Sequence, residues 1–199
     1  MLASLWIELF TYCMSEILLR DSFLDINPKS DIQAYGLELL GIDVENVLTD
    51  YSDPEVLPGI AEHLEELQVA GDGLQVVLIT NKRSDGFLDE VVSQLPGYPP
   101  FINPSKEAGL KKKPSPDMFR HVLTEMFPDV DPAHAAHVDD QLKAYFGASK
   151  AGFEFFIWTK PVGEHQHKGV KALRPLEFGL VRPFVNARIN FDEIIRGDW

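Results

Sequence analysis

The sequence predicts an α/β fold, a three-layer sandwich in which a mainly parallel sheet carries helices on its faces. Three observations predict it. From residue 35 onward, short apolar runs alternate with segments of helical periodicity, the order in which parallel sheets are built. Several of those runs finish in polar, mostly acidic side chains, and ligands of open α/β sheets bind just outside the carboxyl ends of strands. The 199 residues, 45% of them hydrophobic, suffice for the core of one ordinary domain.

Taken in order, the first twenty residues, MLASLWIELFTYCMSEILLR, place Leu2, Leu5, Trp6, Leu9, Phe10, Cys13, Ile17 and Leu18 at helical spacing. They predict an amphipathic helix packed on the domain. Glu8 and Glu16 interrupt the run, which argues against a membrane span. A docking role for this helix, at a membrane surface or against a second copy of the chain, is the other reading. YGLELLGID (35–43) reads as a buried strand. SDPEVLPGIAEHLEELQVAG reads as a turn and then a helix, with Pro58 near its first turn, Ile60, Leu64 and Leu67 on one face, and Gly71 as its stop.

LQVVLIT is the next strand and leads into Thr80 and Asn81; SDGFLDEVVSQL is helical and PPFIN offers a short strand. SPDMFRHVLTEMF predicts a helix with Ser115 as N-cap and Pro116 just inside. AAHVDD is a strand, QLKAYFGASKAG a helix closed by Gly152, and FEFFIWT a hydrophobic strand. Beyond Lys160, GEHQHKG reads as a loop and NFDEIIR as a last helix. The predicted organisation is a helix and lead-in segment over 1–34, a Rossmann-like core over 35–162, and an extension packed on it over 163–199.

Composition narrows the function. The net charge is −13 and the only basic run is the KKK at 111–113, so the footprint of a nucleic-acid binder is missing. Cys13 is the single cysteine and no basic, cleavable leader opens the chain, which predicts a reduced, cytoplasmic setting, peripheral to a membrane if the first helix docks there. No Ser nucleophile elbow, Cys-His pair or Gly-rich phosphate loop is readable. His165 and His167 have the spacing of a surface metal clip without further ligands, and His137 reads as a packed strand residue.

The polar strand ends carry the chemistry. Asp43 with Glu45, Thr80 with Asn81, and Asp139 with Asp140 each follow a predicted strand, and a parallel sheet brings such ends to one crevice. Carboxylates side by side at a sheet edge are costly unless a metal, a proton or a substrate compensates. A carboxylate nucleophile splits hydrolysis into two easier displacements, and a neighbouring acid supplies and removes protons. Lys113, just before a helix start, suits anion binding.

These segments, from SFLDINPKSDIQAYGLELLGIDVENVLTDYSDPEVLP through VVLITNK and KKKPSPDMF to HVDDQLKAYFGASKAGFEFFIWTKPV, resemble the haloacid dehalogenase superfamily of phosphatases. Within it they are similar to the YqeG-like branch, subclass IIIA, that includes phosphatidylglycerophosphate phosphatases. The resemblance implies that Asp43 attacks phosphorus to form an aspartyl phosphate and that Glu45 is the acid/base. It implies that Thr80, with Asn81 beside it, holds the phosphoryl oxygens and that Lys113 offsets their charge. It also implies that Asp140 binds Mg²⁺ together with Asp43 and the backbone carbonyl of Glu45. Mg²⁺ takes oxygen ligands of this kind.

The intervals from Asp43 to Thr80 and from Thr80 to Lys113 each hold one helix and its connections, which leaves no room for a cap domain. An open site suits a phosphorylated small molecule or a lipid headgroup. The chain departs from the family pattern at four points. Glu45 stands for an aspartate, Val47 for a threonine, Asp139 for a glycine, and Ala144-Tyr145 for a Thr-Asp pair whose acid is missing unless Asp139 substitutes for it. The prediction is therefore a Mg²⁺-dependent phosphomonoester hydrolase. A phosphate-binding or protein-interaction module that keeps the scaffold without turnover is the alternative.

Overall fold

The computed structural model describes residues 16–105 and 109–162. Among the described residues six strands, all parallel to their neighbours, form one open sheet: β1 (Glu16–Arg20), β2 (Leu39–Ile42), β3 (Gln75–Ile79), β4 (Phe101–Ile102), β5 (Ala135–Asp139) and β6 (Phe155–Thr159). Their order across the sheet is β1-β6-β5-β2-β3-β4. The α-helices of the described residues lie between them: α1 (Ile60–Ala70), α2 (Asp85–Ser93), α3 (Asp117–His121) and α4 (Lys143–Ala151). The three-layer, Rossmann-like architecture expected from the alternating pattern is the one observed.

Side chains alternate across a strand, so each strand feeds both faces of the sheet. Leu40, Ile42, Val76, Leu78, Ala136, Val138 and Ile157 pack with Ile60, Leu64 and Leu67 of α1 and Leu88 and Val91 of α2 in one buried cluster. The intervening residues His137 and Phe156 join Phe119 of α3 and Phe153 in a cluster of aromatic edges, with His137 and Phe119 ring centres 4.8 Å apart. The apolar spacing read from α1 is thus a core face, and Gly71 caps its end as expected.

The chain runs outward from β2 through β3 to β4, then returns to lay β5 on the other side of β2. This reversal makes β2 and β5 the switch point, where a crevice opens beyond the strand ends. α4 ends as predicted at Gly152, whose φ of 113° is left-handed and open to glycine.

Three expectations need correction. Residues 16–20 are not the end of a helix but edge strand β1, paired with β6 from Glu16↔Phe155 to Arg20↔Thr159. The sheet therefore begins before residue 35, and the boundary drawn at 34/35 falls inside the core. The remainder of the predicted first helix, residues 1–15, lies outside the described residues, as do the 163–199 extension, the loop with His165 and His167, and the helix near NFDEIIR. Strand β1 is held by Arg20, which bonds the buried Asp31 through Nε at 2.6 Å and through a second guanidinium nitrogen, and by Tyr35 Oη, which donates to Glu16 Oε1 at 2.9 Å.

Asp31 belongs to a π-helical turn, Pro28–Gln33, capped by the Asn27 side chain. Finally, Ser115 is not the N-cap of α3. Pro116 holds that position without a side-chain bond, and α3 continues into a π-helical turn over Val122–Met126.

Candidate active site

Asp43 follows directly on β2, and its N–H bonds Val138 O at 2.9 Å, so the ladder toward β5 fixes its backbone. Val44, Val47 and Leu48 are fully buried just beyond it, and the N–H groups of Val47, Leu48 and Thr49 all bond Val44 O. This apolar anchoring holds the loop where the family pattern has a threonine hydroxyl in place of Val47. The chain then forms a small arm, closed by an antiparallel bridge between Thr49 and Val56, with Tyr51 and Ser52 between them.

Strand ends and loops meet in a polar cavity of about 70 Å³ lined by Asp43, Glu45, Tyr51, Thr80, Lys113 and Asp139, with Asn46, Asn81, Gln141, Lys143 and Ala144. Lys113 is its centre of charge. Its Nζ lies 3.0 Å from Asp43 Oδ1 and 2.6 Å from Asp139 Oδ2, and all three side chains are at least nine-tenths buried. Asp43 Oδ1 also accepts the Val44 N–H at 2.9 Å, and among the described residues Oδ2 of Asp43 accepts no hydrogen bond. Asp139 Oδ1 accepts the Gln141 N–H at 2.7 Å.

Behind Asp139, on the same face of β5 two residues earlier, His137 sets Nε2 3.2 Å from Asp139 Oδ2 and Nδ1 3.1 Å from Gly41 O. The expectation that His137 is a packed strand residue holds, but it also contacts the site. The i, i+2 spacing in a strand was the available signal for that contact.

The two aspartates titrate in opposite directions. Burial pushes the Asp43 carboxyl up to about 6, with Lys113 only partly offsetting it. Burial acts on Asp139 in the same sense, but the Lys113 ammonium and the His137 contact outweigh it and hold that carboxyl far below the ordinary range. Burial lowers His137, which keeps the imidazole neutral at pH 7. Burial also acts to lower Lys113, yet Asp139 and Asp43 more than restore it, so the ammonium persists. Adjacent carboxyls driven apart in this way are characteristic of sites that divide labour between acids.

Asp43, Asp139 and Asp140, all buried, each offer a carboxylate oxygen within 4.8 Å of the others. Three carboxylates against one ammonium and a neutral imidazole leave an excess of buried negative charge. An all-oxygen donor set of this kind fits a hard divalent cation such as Mg²⁺. Asp140 is further fixed by its backbone carbonyl, which accepts Trp158 Nε1–H at 3.2 Å.

Glu45 does not join that cluster with its carboxylate. Oε1 accepts the Ser52 N–H at 3.0 Å and lies 3.1 Å from Lys82 Nζ, which also sits 4.2 Å over the Phe87 ring. The extra methylene of Glu45 is used to reach the arm and Lys82. Lys82 and Ser52 were not anticipated from the sequence: the Lys82 link to Glu45 exists only once β2 and β3 are neighbours, and the Ser52 link only once the arm folds back on the residues after β2. Thr80 is buried beside the cavity and its Oγ1 accepts the Lys82 N–H at 3.1 Å. Asn81 turns both polar atoms of its side chain to the Lys113 backbone. In the Ala144-Tyr145 pair, Ala144 lines the cavity, while Tyr145 packs its ring against Phe146 and Phe156.

The model of the haloacid dehalogenase-like hydrolases matches residues 11–152, more than half of the chain. Among solved structures, the chain is similar to an uncharacterized protein from Corynebacterium glutamicum at 17% identity, covering 69% of this chain and 93% of that one, with a TM-score of 0.45. No curated protein matches significantly.

Proposed function

This chain belongs to the haloacid dehalogenase-like hydrolase family, and from that membership we propose that it is a Mg²⁺-dependent phosphomonoester hydrolase working through an aspartyl phosphate on Asp43. The observation that carries the reading is the contact of Lys113 with both Asp43 and Asp139 at the switch point of the sheet.

Asp43 attacks phosphorus as the bond to the leaving oxygen breaks, and Glu45 donates the proton that oxygen takes up. Water then attacks the same phosphorus, Glu45 accepts its proton, and the acyl phosphate P–O bond breaks to restore the Asp43 carboxylate and release phosphate. Lys113 and the Thr80 hydroxyl hold phosphoryl oxygens, with Asn81 beside them. Asp43, Asp140, Asp139 and the Glu45 carbonyl would hold Mg²⁺, and the cation would supply screening of the negative charge between carboxylate and phosphate.

For the substrate we propose a phosphate at the end of a larger molecule, a lipid headgroup of the phosphatidylglycerophosphate type, in keeping with the YqeG-like resemblance. The shape of the crevice supports this. Between Asp43 and Thr80 the chain forms the short arm, α1 and β3, and α2 and β4 follow before Lys113, so among the described residues neither interval inserts a domain over the mouth. Among the described residues, no helix is long and apolar enough to cross a membrane. The reading without turnover draws on one observation, the commitment of the Glu45 carboxylate to Lys82 and Ser52.

Phosphate release from an aryl phosphate and from phosphatidylglycerophosphate, with Mg²⁺ or EDTA, in wild type and Asp43→Asn, tests the proposal. Metal-dependent release that disappears in the variant supports it. A folded wild type that Mg²⁺ stabilises but that releases nothing would leave the binding module.

A further inference from the structure

Lys113 lies between β4 and α3, in a stretch with neither sheet nor helix partners for its peptide groups. Its backbone is nevertheless fully paired. Asn81 Oδ1 accepts the Lys113 N–H at 2.7 Å, and Asn81 Nδ2 donates to the Lys113 carbonyl at 3.2 Å. A primary amide presented to both peptide groups of one residue imitates a neighbouring strand, and it extends the end of β3 across to a loop 32 residues away. The other side of the loop is walled by α4, where a Cβ on Gly147 would stand 2.5 Å from the Pro114 carbonyl oxygen. The loop can sit this close only because residue 147 has no side chain.

The Lys113 side chain is 3% exposed and reaches two carboxylates at once, 3.0 Å and 2.6 Å away. An ammonium on a four-carbon stem has many rotamers, so reaching both acids depends on where its Cα is held.

We propose that Asn81 is a positioning residue that acts through Lys113, clamping the lysine backbone so that its ammonium bridges Asp43 and Asp139. This deepens the phosphatase reading of the same site. It differs from the direct phosphate contact expected of Asn81 from the sequence, because here the side chain exerts its effect on a backbone and the phosphate feels it only through the lysine.

The test is a double-mutant cycle on the full chain, Asn81→Ala, Lys113→Met and both together, read as kcat and KM for an aryl phosphate with Mg²⁺. Loss of two hydrogen bonds to the clamp is expected to lower kcat about tenfold, with KM within about twofold. In the Lys113→Met background the same substitution is expected to add less than about twofold. A full second loss in that background, with KM raised, would mean that Asn81 touches the phosphate directly and would overturn the proposal.

A second measurement needs neither turnover nor the lysine variant. Amide hydrogen exchange at Lys113 is expected to quicken at least about tenfold in Asn81→Ala, and to do so less in Asn81→Asp, which keeps the acceptor. Unchanged exchange in Asn81→Ala overturns the clamp. If the wild type releases no phosphate, the phosphatase reading fails on that result while the exchange rates still decide the role of Asn81.

Discussion

Lys113 Nζ stands 3.0 Å from Asp43 Oδ1 while touching Asp139 Oδ2 at 2.6 Å, so one buried ammonium serves two carboxylates that approach it from different strands. Replacing it by Met leaves those acids buried without their cation. Removing one member of a buried ion pair costs about 3–5 kcal/mol, and urea unfolding of Lys113→Met at pH 7 should show a loss of that size. Millimolar Mg²⁺ should recover more stability in this variant than it adds to wild type, because the metal supplies the missing positive charge.

Asp43 carries a cost of its own. Its folded carboxyl titrates at about 6, above the ordinary 3.8, so the native state holds the proton longer than the unfolded chain. The group therefore opposes folding increasingly as pH rises from about 4 to about 6, and the cost is fully present above that window. Asp43→Asn should raise Tm at pH 7.5 by about 2–4 °C, equivalent to about 1 kcal/mol, and the gain should shrink by pH 4.5. A lower Tm for the variant at pH 7.5 would contradict this.

At the far edge of the sheet the sign is reversed. Burial acts to raise the Asp31 carboxyl, but the bonds from Arg20 and the Asn27 N–H outweigh it, so the folded group titrates below 3.8. Its contribution is present above about pH 4 and is lost as pH falls through the lowered value. Asp31→Asn should cost about 3 kcal/mol at pH 7 and progressively less below pH 4. Hydrogen exchange should report faster opening of β1 before the rest of the sheet.

Glu45 gives a kinetic prediction that follows from the proposed mechanism. Glu45→Gln retains the size of the side chain while removing the proton donor, and should lower kcat about 100-fold with KM little changed. Lys82→Ala frees the carboxylate from one of its two partners. A smaller loss than in Glu45→Gln, restored in part by Lys82→Arg, would mark Lys82 as the residue that orients Glu45.

Gly147→Ala tests the wall behind the lysine. The added methyl would meet the Pro114 carbonyl oxygen at 2.5 Å and Phe119 Cε2 at 2.9 Å. Relieving it requires α4 or the Lys113 loop to move, at about 1–3 kcal/mol. Both stability and phosphate release should fall, and a variant with wild-type kcat would show that the lysine tolerates the shift.

The central strands and α1, α2 and α4 were legible because their patterns are local. Apolar runs of strand length separated by helical periodicity identify β2, β3, β5 and β6, and the polar residues closing β2, β3 and β5 marked the cavity. Strand β1 was not legible. Ile17 and Leu18 continue the helical spacing of the residues before them, and an edge strand shows itself only through its partner, β6, more than 130 residues away in the chain.

What the sequence determined by itself was the α/β class, the order of the core elements, and which polar residues stand at strand ends, since each depends on neighbours within one or two turns of chain. Tertiary structure alone decided that Lys113 bridges Asp43 and Asp139, that Asn81 grips the Lys113 backbone, that Glu45 reaches Lys82, and that Arg20 meets Asp31. Each of these links joins residues on different elements. Their distances are set by strand order and by how closely helix α4 approaches a loop, and no spacing along the chain encodes them.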